Sequence, residues 1–335
     1  MKKIIAIVCG GDSSEHDVSL RSAQGIASFL SKARYEYYIV EMQGLVWEAH
    51  LDDGTRSRVS REDFSFEVAG QRIRPDFAYI TIHGTPGENG LLQGYFDLIH
   101  MPYSTSGVLV EAMTFNKFTL NQYLKGFGVS VSESIVIRKD KADEVNSEDI
   151  LAHIGLPCFV KPNAGGSSFG VTKVKTAEAL RPALELAFGE SDEVMVEAFM
   201  AGTEITCGCY KTRQKEVVFP ITEVVTHNEF FDYDAKYNGA VEEITPARIP
   251  EDIADRVRRI TSMIYDILGC SGIIRVDYIL TPVTEEGQTH TRINMLEINT
   301  TPGMTATSFI PQQVRAAGLD IQDVMTDIIE DKLRV

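Results

Sequence analysis

Phe159-Val160-Lys161-Pro162-Asn163-Ala164-Gly165-Gly166-Ser167-Ser168-Phe169-Gly170-Val171 runs from an apolar, strand-like start through a lysine into a loop of paired glycines and serines, then back into a strand. Glycines let a backbone approach a ligand closely, and successive N–H groups can hold phosphate oxygens. Lys161 adds a point charge to such a cradle. The segment is not a P-loop, because no GK[ST] opens a helix, and it is not the dinucleotide fingerprint. Taken alone it reads equally well as a glycine-rich hairpin loop, so its neighbours decide the matter.

Downstream lies Arg275-Val276-Asp277-Tyr278, and after it Glu297-Ile298-Asn299-Thr300-Thr301-Pro302-Gly303-Met304. Both sit in apolar runs that read as strands. Alternation puts Arg275 with Asp277 on one face, and Glu297 with Asn299 on one face. Neighbouring strands would then aim two carboxylates, one amide oxygen and one guanidinium at a common point. Oxygen donors of this kind suit Mg2+, which takes one or two carboxylates plus phosphate oxygens. Half-exposed polar strands are the plainer alternative, but carboxylates in apolar strands are rarely buried without a partner. Glu197 and Glu204 flank a short turn, and acceptor-only carboxylates there suit ribose hydroxyls or adenine-side donors. By composition alone they are as readily solvated surface groups.

Upstream, residues 4–8 form a continuous apolar run, as expected of a strand covered on both faces. Gly10-Gly11-Asp12-Ser13-Ser14-Glu15-His16 follows as a turn, then a helix with Leu20, Ala23, Ala27 and Leu30 on one stripe. Ser13 or Ser14 is a candidate helix cap, and Glu15 a candidate partner for an ammonium group. Residues 37–40 and 77–82 read as further strands, so a parallel α/β unit is expected. His83-Gly84-Thr85-Pro86-Gly87-Glu88-Asn89-Gly90 follows the last of them. Ligands of open α/β sheets bind beyond the carboxyl ends of strands, where both segments emerge. Residues 50–75 look polar and irregular and are expected to be a surface excursion. A helix over residues 111–126, strands over 134–137, 158–161 and 171–174, and a helix over 253–268 complete the outline.

With 335 residues, 44% apolar and 24% charged, the chain has room for two or three domains around ordinary cores. No run of about 18 apolar residues exists to span a membrane. The first apolar run ends at Cys9-Gly10-Gly11, too early for a signal peptide, so the mature protein is expected to start near Met1. Five cysteines without a CxxC pair argue against a disulfide framework or a zinc site and for a reducing cytoplasm. Cys207 and Cys209 share one face of an expected strand and read as core. A net charge of -16 opposes nucleic-acid binding. A nucleotide ligand would need local lysines and metal ions to overcome that field.

Taken in order, residues 10–20, 83–90, 161–170, 231–237, 275–277 and 297–308 resemble the D-alanine–D-alanine ligases of the ATP-grasp superfamily, over nearly the whole chain. The resemblance implies an α/β protein of ATP-grasp fold in three parts. These are an N-terminal α/β substrate-binding domain (1–101), a small central α+β domain (102–194) and a C-terminal α+β catalytic domain (195–335), with ATP between the last two. It implies ligation of two D-alanines through a D-alanyl phosphate, releasing ADP and phosphate, for peptidoglycan precursor synthesis. Lys117 and Lys161 would meet the nucleotide phosphates, Glu197 the adenine and Glu204 the ribose, with Ser168 in a mobile covering loop. Asp277, Glu297 and Asn299 would hold two Mg2+ ions, or Mn2+. Glu15, in a network with Ser167 and Tyr237, would hold the first D-alanine near His83. Lys236 and Ser308 would take the carboxylate of the second. Arg275 and the Gly303 N–H would stabilise the oxyanion.

The same resemblance implies a cytoplasmic homodimer that binds neither nucleic acid nor membrane. Tyr237 favours dipeptide formation over the rival reading, a D-alanine–D-lactate ligase or another ATP-grasp carboxylate–amine ligase. Two departures stand out. Phe309 replaces a common leucine, for which a small packing change is expected. Ala164-Gly165 replaces larger or charged residues, which is expected to alter loop closure but not phosphate binding.

Overall fold

The computed structural model describes residues 2–166, 169–226 and 241–334. The candidate residues Ser167, Ser168, Lys236 and Tyr237 lie outside them.

The N-terminal sheet has the order β4-β3-β2-β1-β7, from β1 (Lys3–Gly10), β2 (Tyr35–Gln43), β3 (Val46–His50), β4 (Arg56–Arg58) and β7 (Phe77–Ile80). β1 pairs in parallel with β2 and β7, and Ile5 to Val8 are fully buried. This is why β1 reads as an unbroken apolar run. Helix α1 (His16–Phe29) covers one face and α2 (Leu91–Leu98) packs into the core on the other. Ser13 does not cap α1 at its N-cap position, which is Glu15 and has no side-chain cap bond. Its hydroxyl instead accepts from the Glu15 N–H and donates to the His83 carbonyl at 2.7 Å, joining the two loops at the strand ends.

The irregular excursion expected over residues 50–75 is corrected. It holds β4 and the hairpin β5 (Phe66–Val68)–β6 (Gln71–Ile73), and it buries Val59, Phe64 and Phe66. Phe64 stacks edge-on against Phe96, with ring centroids 5.0 Å apart. The few apolar residues are spaced too irregularly to show a period, so only the tertiary contacts show that they form a core.

A second correction concerns residues 111–126. Two helices stand there, α3 (Val108–Phe115) and α4 (Lys117–Lys125), broken at Asn116, whose backbone is extended and bridges Ala164. Asn116 then caps α4, its side chain accepting from the Thr119 N–H.

The central antiparallel sheet has the order β10-β9-β11-β8. It is formed by β8 (Ser134–Arg138), β9 (Cys158–Pro162), β10 (Thr172–Val174) and β11 (Glu193–Ala198), and α5 (Ser147–Ile154) and α6 (Leu180–Phe188) share its core. The C-terminal sheet runs β15-β14-β12-β16-β17, with β13 (Glu216–Val218) also on β12. Its strands are β12 (Thr203–Lys211), β14 (Thr222–Thr226), β15 (Val241–Ile244), β16 (Gly272–Glu285) and β17 (Gln288–Asn299). Helix α7 (Glu251–Leu268) packs on one face, over Cys207, Cys209 and Tyr278. All five cysteines are free and buried. Helices α8 (Phe309–Ala316) and α9 (Ile321–Leu333) share a core with α1 and β1, tying the two ends of the chain together.

Candidate active site

A cleft of about 1120 Å3 opens where the three sheets meet. It is lined by Glu15, His83, Lys117, Lys161, Glu197, Glu204, Arg275, Asp277, Glu297, Asn299, Gly303 and Ser308, which are all the candidate residues that are described.

The C-terminal sheet provides the acidic centre. In the antiparallel pair β16–β17, Asp277 stands opposite Glu297 and Arg275 opposite Asn299. The register shifts just past Asp277, where Tyr278 pairs with Met295. This bulge places Leu296 and Glu297 both on the cleft and returns Met295 and Tyr278 to the core. Arg275 is bidentate on Asp277, at 2.9 and 2.8 Å, and Asp277 also accepts from Thr206 at 2.5 Å and Asn299 Nδ2 at 3.1 Å. Burial works against the Arg275 charge, but Asp277, then Glu297 and Glu88, more than offset it and keep the guanidinium charged. Phe309 lies under this guanidinium, 5.1 Å from it, so the leucine-to-phenylalanine departure puts an aromatic face on Arg275.

These oxygen donors fit a magnesium-sized cation. Half a turn of the Asn299 amide presents its oxygen in place of Nδ2, and which way an amide points is set by the charges it meets. Among the described residues no cluster of three or more histidines, cysteines and carboxylates has a metal-holding arrangement. A cation here would therefore rely on two carboxylates, the amide and ligand oxygens.

The central sheet provides the cationic wall. Lys161 on β9 and Glu197 on β11 form a buried pair at 2.5 Å, their side chains 8% and 4% exposed. Removing either partner of such a pair typically costs about 3–5 kcal/mol, because the other charge stays buried. Lys117 begins α4 and donates to the Gly165 carbonyl at 2.5 Å. Gly166 lies against the Glu15 carboxylate, so a Cβ added there would make the end of the Glu15 side chain shift. Phe159 and Phe199 line the same end, with Lys173 over the Phe199 ring at 4.0 Å.

Also on the cleft, Ser308 precedes α8, and its hydroxyl accepts from the Thr305 N–H at 3.0 Å. A helix N-terminus beside a hydroxyl favours a carboxylate. The Gly303 segment is held against α1, where Gly25 leaves room for the Met304 carbonyl. His83 is buried, with Ser22 Oγ at 3.4 Å from Nε2.

Several lining residues escaped the sequence reading. Glu88 accepts from the Gly84 N–H and from the Thr301 hydroxyl, each at 2.7 Å, so it joins the His83 loop to the Gly303 loop. Burial pushes its carboxyl up, against the pull of His83. Glu243, also raised by burial, accepts from Gln312 at 2.5 Å beside Ser308. Glu88 stands inside a motif already singled out, and its neighbours made it look like turn polarity. Glu243 and Gln312 carry no local signal.

Glu111 is fully buried and accepts a hydrogen bond from Thr300, next to Asn299. Burial holds its carboxyl well above the usual range, while the Thr300 bond opposes the rise. The folded chain therefore keeps a proton that the unfolded chain releases near pH of about 4.3. The stability tied to that proton is fully present below this value and is lost as pH rises toward the folded pKa. Glu111→Gln keeps the shape and the acceptor without the titration. Its Tm relative to the parent is expected to climb between about pH 5 and about pH 8. A difference that stays flat across that range would rule the effect out.

The comparisons with known proteins agree with this geometry. A family model described as the D-ala D-ala ligase N-terminus matches residues 4–106, and one described as the D-ala D-ala ligase C-terminus matches residues 123–330. The chain is 70% identical to the D-alanine–D-alanine ligase of Phocaeicola vulgatus, over 99% of this chain and 100% of that protein. It is 67% identical to the ligase of that name from Bacteroides fragilis, with the same coverage. Among solved structures it is similar to the VanG D-Ala:D-Ser ligase from Enterococcus faecalis (TM-score 0.85, 30% identity, 100% of both chains). It is also similar to the ATP complex of the D-alanine–D-alanine ligase from Bacillus anthracis (TM-score 0.75, 28% identity, 99% of this chain and 98% of that one). With both family models in order along it and full-length relatives at such identity, the chain belongs to the D-alanine–D-alanine ligase family and has its ATP-grasp fold.

Proposed function

We propose that this protein joins two D-alanines into D-alanyl-D-alanine, using ATP and releasing ADP and phosphate. The observation that carries the reading is a single cleft lined by lysines, by an acidic pair holding the Arg275 guanidinium, and by the Gly303 segment and a helix N-terminus. A carboxylate resists attack by an amine, because its leaving group is poor and its charge repels nucleophiles. Phosphorylation by ATP converts it into an acyl phosphate, which the second amine attacks to form a tetrahedral species.

Each step assigns work to residues of this chain. Lys117 and Lys161 orient and neutralise the phosphates, Glu197 receives the adenine amine, and Glu204 receives the ribose. Asp277, Glu297 and Asn299 hold Mg2+, which when bound supplies charge neutralisation at the transferred phosphoryl group. Glu15 holds the ammonium of the first D-alanine, beside His83. Ser308 and the start of α8 receive the second carboxylate, with Lys236. Arg275 and the Gly303 N–H face the developing oxyanion. Ser167, Ser168 and Tyr237 complete the sites from segments outside the described residues. Water is kept from the acyl phosphate by closure of the cleft.

The division at residues 101 and 194, a homodimeric assembly and a place in cytoplasmic peptidoglycan precursor synthesis belong to the same proposal. No helix among the described residues is long and apolar enough to cross a membrane.

The similarity to a D-Ala:D-Ser ligase favours a second reading of the acceptor. The test is phosphate release from ATP and Mg2+ with D-alanine, L-alanine, or D-alanine plus D-serine or D-lactate, with products identified by mass. Dipeptide from D-alanine alone is expected. A mixed product dominating at equal acceptor concentrations would favour the second reading, and no phosphate release from folded protein would overturn both.

A further inference from the structure

Asn163 uses every polar group it has. It is 1% exposed. Its N–H donates to the Glu193 carbonyl at 2.9 Å, and its carbonyl accepts from the Lys117 N–H at 3.0 Å. In its side chain, Oδ1 accepts from the Phe118 N–H at 2.8 Å and Nδ2 donates to Glu193 Oε2 at 2.9 Å. Lys117, Phe118 and Thr119 open α4, and a helix leaves its first N–H groups without partners of its own. Asn163 takes two of these and Asn116 the third. One residue on, Ala164 bridges Asn116, and the Lys117 ammonium reaches the Gly165 carbonyl. Glu193 is anchored in turn, accepting from Arg138 at 3.2 Å. The Asn163 bond, then Arg138, hold its carboxyl below the usual range, so it is an ionised acceptor at neutral pH.

We infer that Asn163 is a positioning residue that fixes the root of the glycine-rich loop to the start of α4, so that Lys117, Lys161 and the loop backbone meet the nucleotide phosphates as one unit. The inference rests on the reading of this cleft as an ATP site. Its physical basis is direction. A lysine is a point charge on a flexible stem, and its aim is set by where its helix begins. Lys161 lies two residues before Asn163 on β9, so the same residue fixes both cations relative to each other. Filling space alone would be served by leucine, which has the same branched outline and offers no bond to Phe118 or Glu193. Small misplacements of a phosphate clamp are costly, because binding depends on several contacts made together.

The test uses the full chain and two readouts: equilibrium binding of a non-hydrolysable ATP analogue, and steady-state kinetics. Asn163→Leu is expected to raise the analogue Kd and the KM for ATP roughly tenfold, leaving the KM for D-alanine within about twofold. Glu193→Gln should stay near the parent, because its amide oxygen still accepts from Asn163, whereas Glu193→Ala should weaken the analogue about threefold. A folded Asn163→Leu with unchanged nucleotide affinity, or with both KM values shifted alike, would overturn the inference. If that variant does not fold, Glu193→Ala decides, and an unchanged analogue Kd overturns it. A parent that binds the analogue yet makes no dipeptide would defeat the ligase reading, while the same binding series still judges Asn163.

Discussion

Glu297→Ala is expected to abolish dipeptide synthesis, by about a thousandfold or more, in a protein that still folds. Glu297 stands directly across from Asp277 and lines the cleft. Among the candidate cation ligands it is one of two carboxylates, and the other already serves Arg275, Thr206 and Asn299. Removing Glu297 leaves the centre with a single carboxylate whose lone pairs are largely occupied, too little charge to hold a divalent cation beside a triphosphate. Stabilisation of the transferred phosphoryl group is worth several kcal/mol, and each 1.36 kcal/mol is about tenfold in rate. The strand itself loses no backbone bond, so Tm should change little. The measurement is phosphate release together with Mn2+ binding followed by electron paramagnetic resonance. Normal turnover, or full-strength Mn2+ binding, would remove Glu297 from the metal assignment.

Arg275→Met should be damaging in two separable ways. Chemically, it removes the donor that the proposed mechanism aims at the tetrahedral oxygen, and losing one such donor typically costs about 3–4 kcal/mol, or roughly two to three orders of magnitude in kcat. Structurally, it strips Asp277 of a bidentate partner in a buried position, and breaking a buried pair costs about 3–5 kcal/mol of stability. Arg275→Lys separates the effects. A lysine restores one charge but not the two-pronged contact or the stacking on Phe309. It should recover most of the Tm and little of the kcat. Steady-state dipeptide formation, beside thermal unfolding, checks both halves. A lysine variant with parental kcat would place Arg275 in structure alone.

Much of the site was legible because its signals are local. Lys161 at a strand end before paired glycines, the i, i+2 pairs Arg275–Asp277 and Glu297–Asn299, and the glycine turns after β1 and β7 each depend on alternation or on backbone freedom. Both are properties of a few adjacent residues. The parallel N-terminal sheet was legible for the same reason, since residues covered on both faces must all be apolar.

What stayed hidden depends on residues distant in the chain. Residues 111–126 contain nothing that must break a helix before Gly126, yet the chain breaks at Asn116, because its backbone pairs with Ala164. The bulge beside Glu297 is decided by the facing strand, and no periodicity in β17 announces it. Glu88 and Glu111 read as turn and helix polarity until Thr301 and Thr300 arrive from the other end of the chain to meet them. Phe309 looked like a packing change and proved to be a surface for Arg275. By itself, then, the sequence determined which chemical groups the protein has and which face of each element they occupy, because local geometry sets both. The tertiary structure alone decided which groups meet and in what register, because those contacts are chosen by packing and hydrogen-bond satisfaction between segments far apart in the chain.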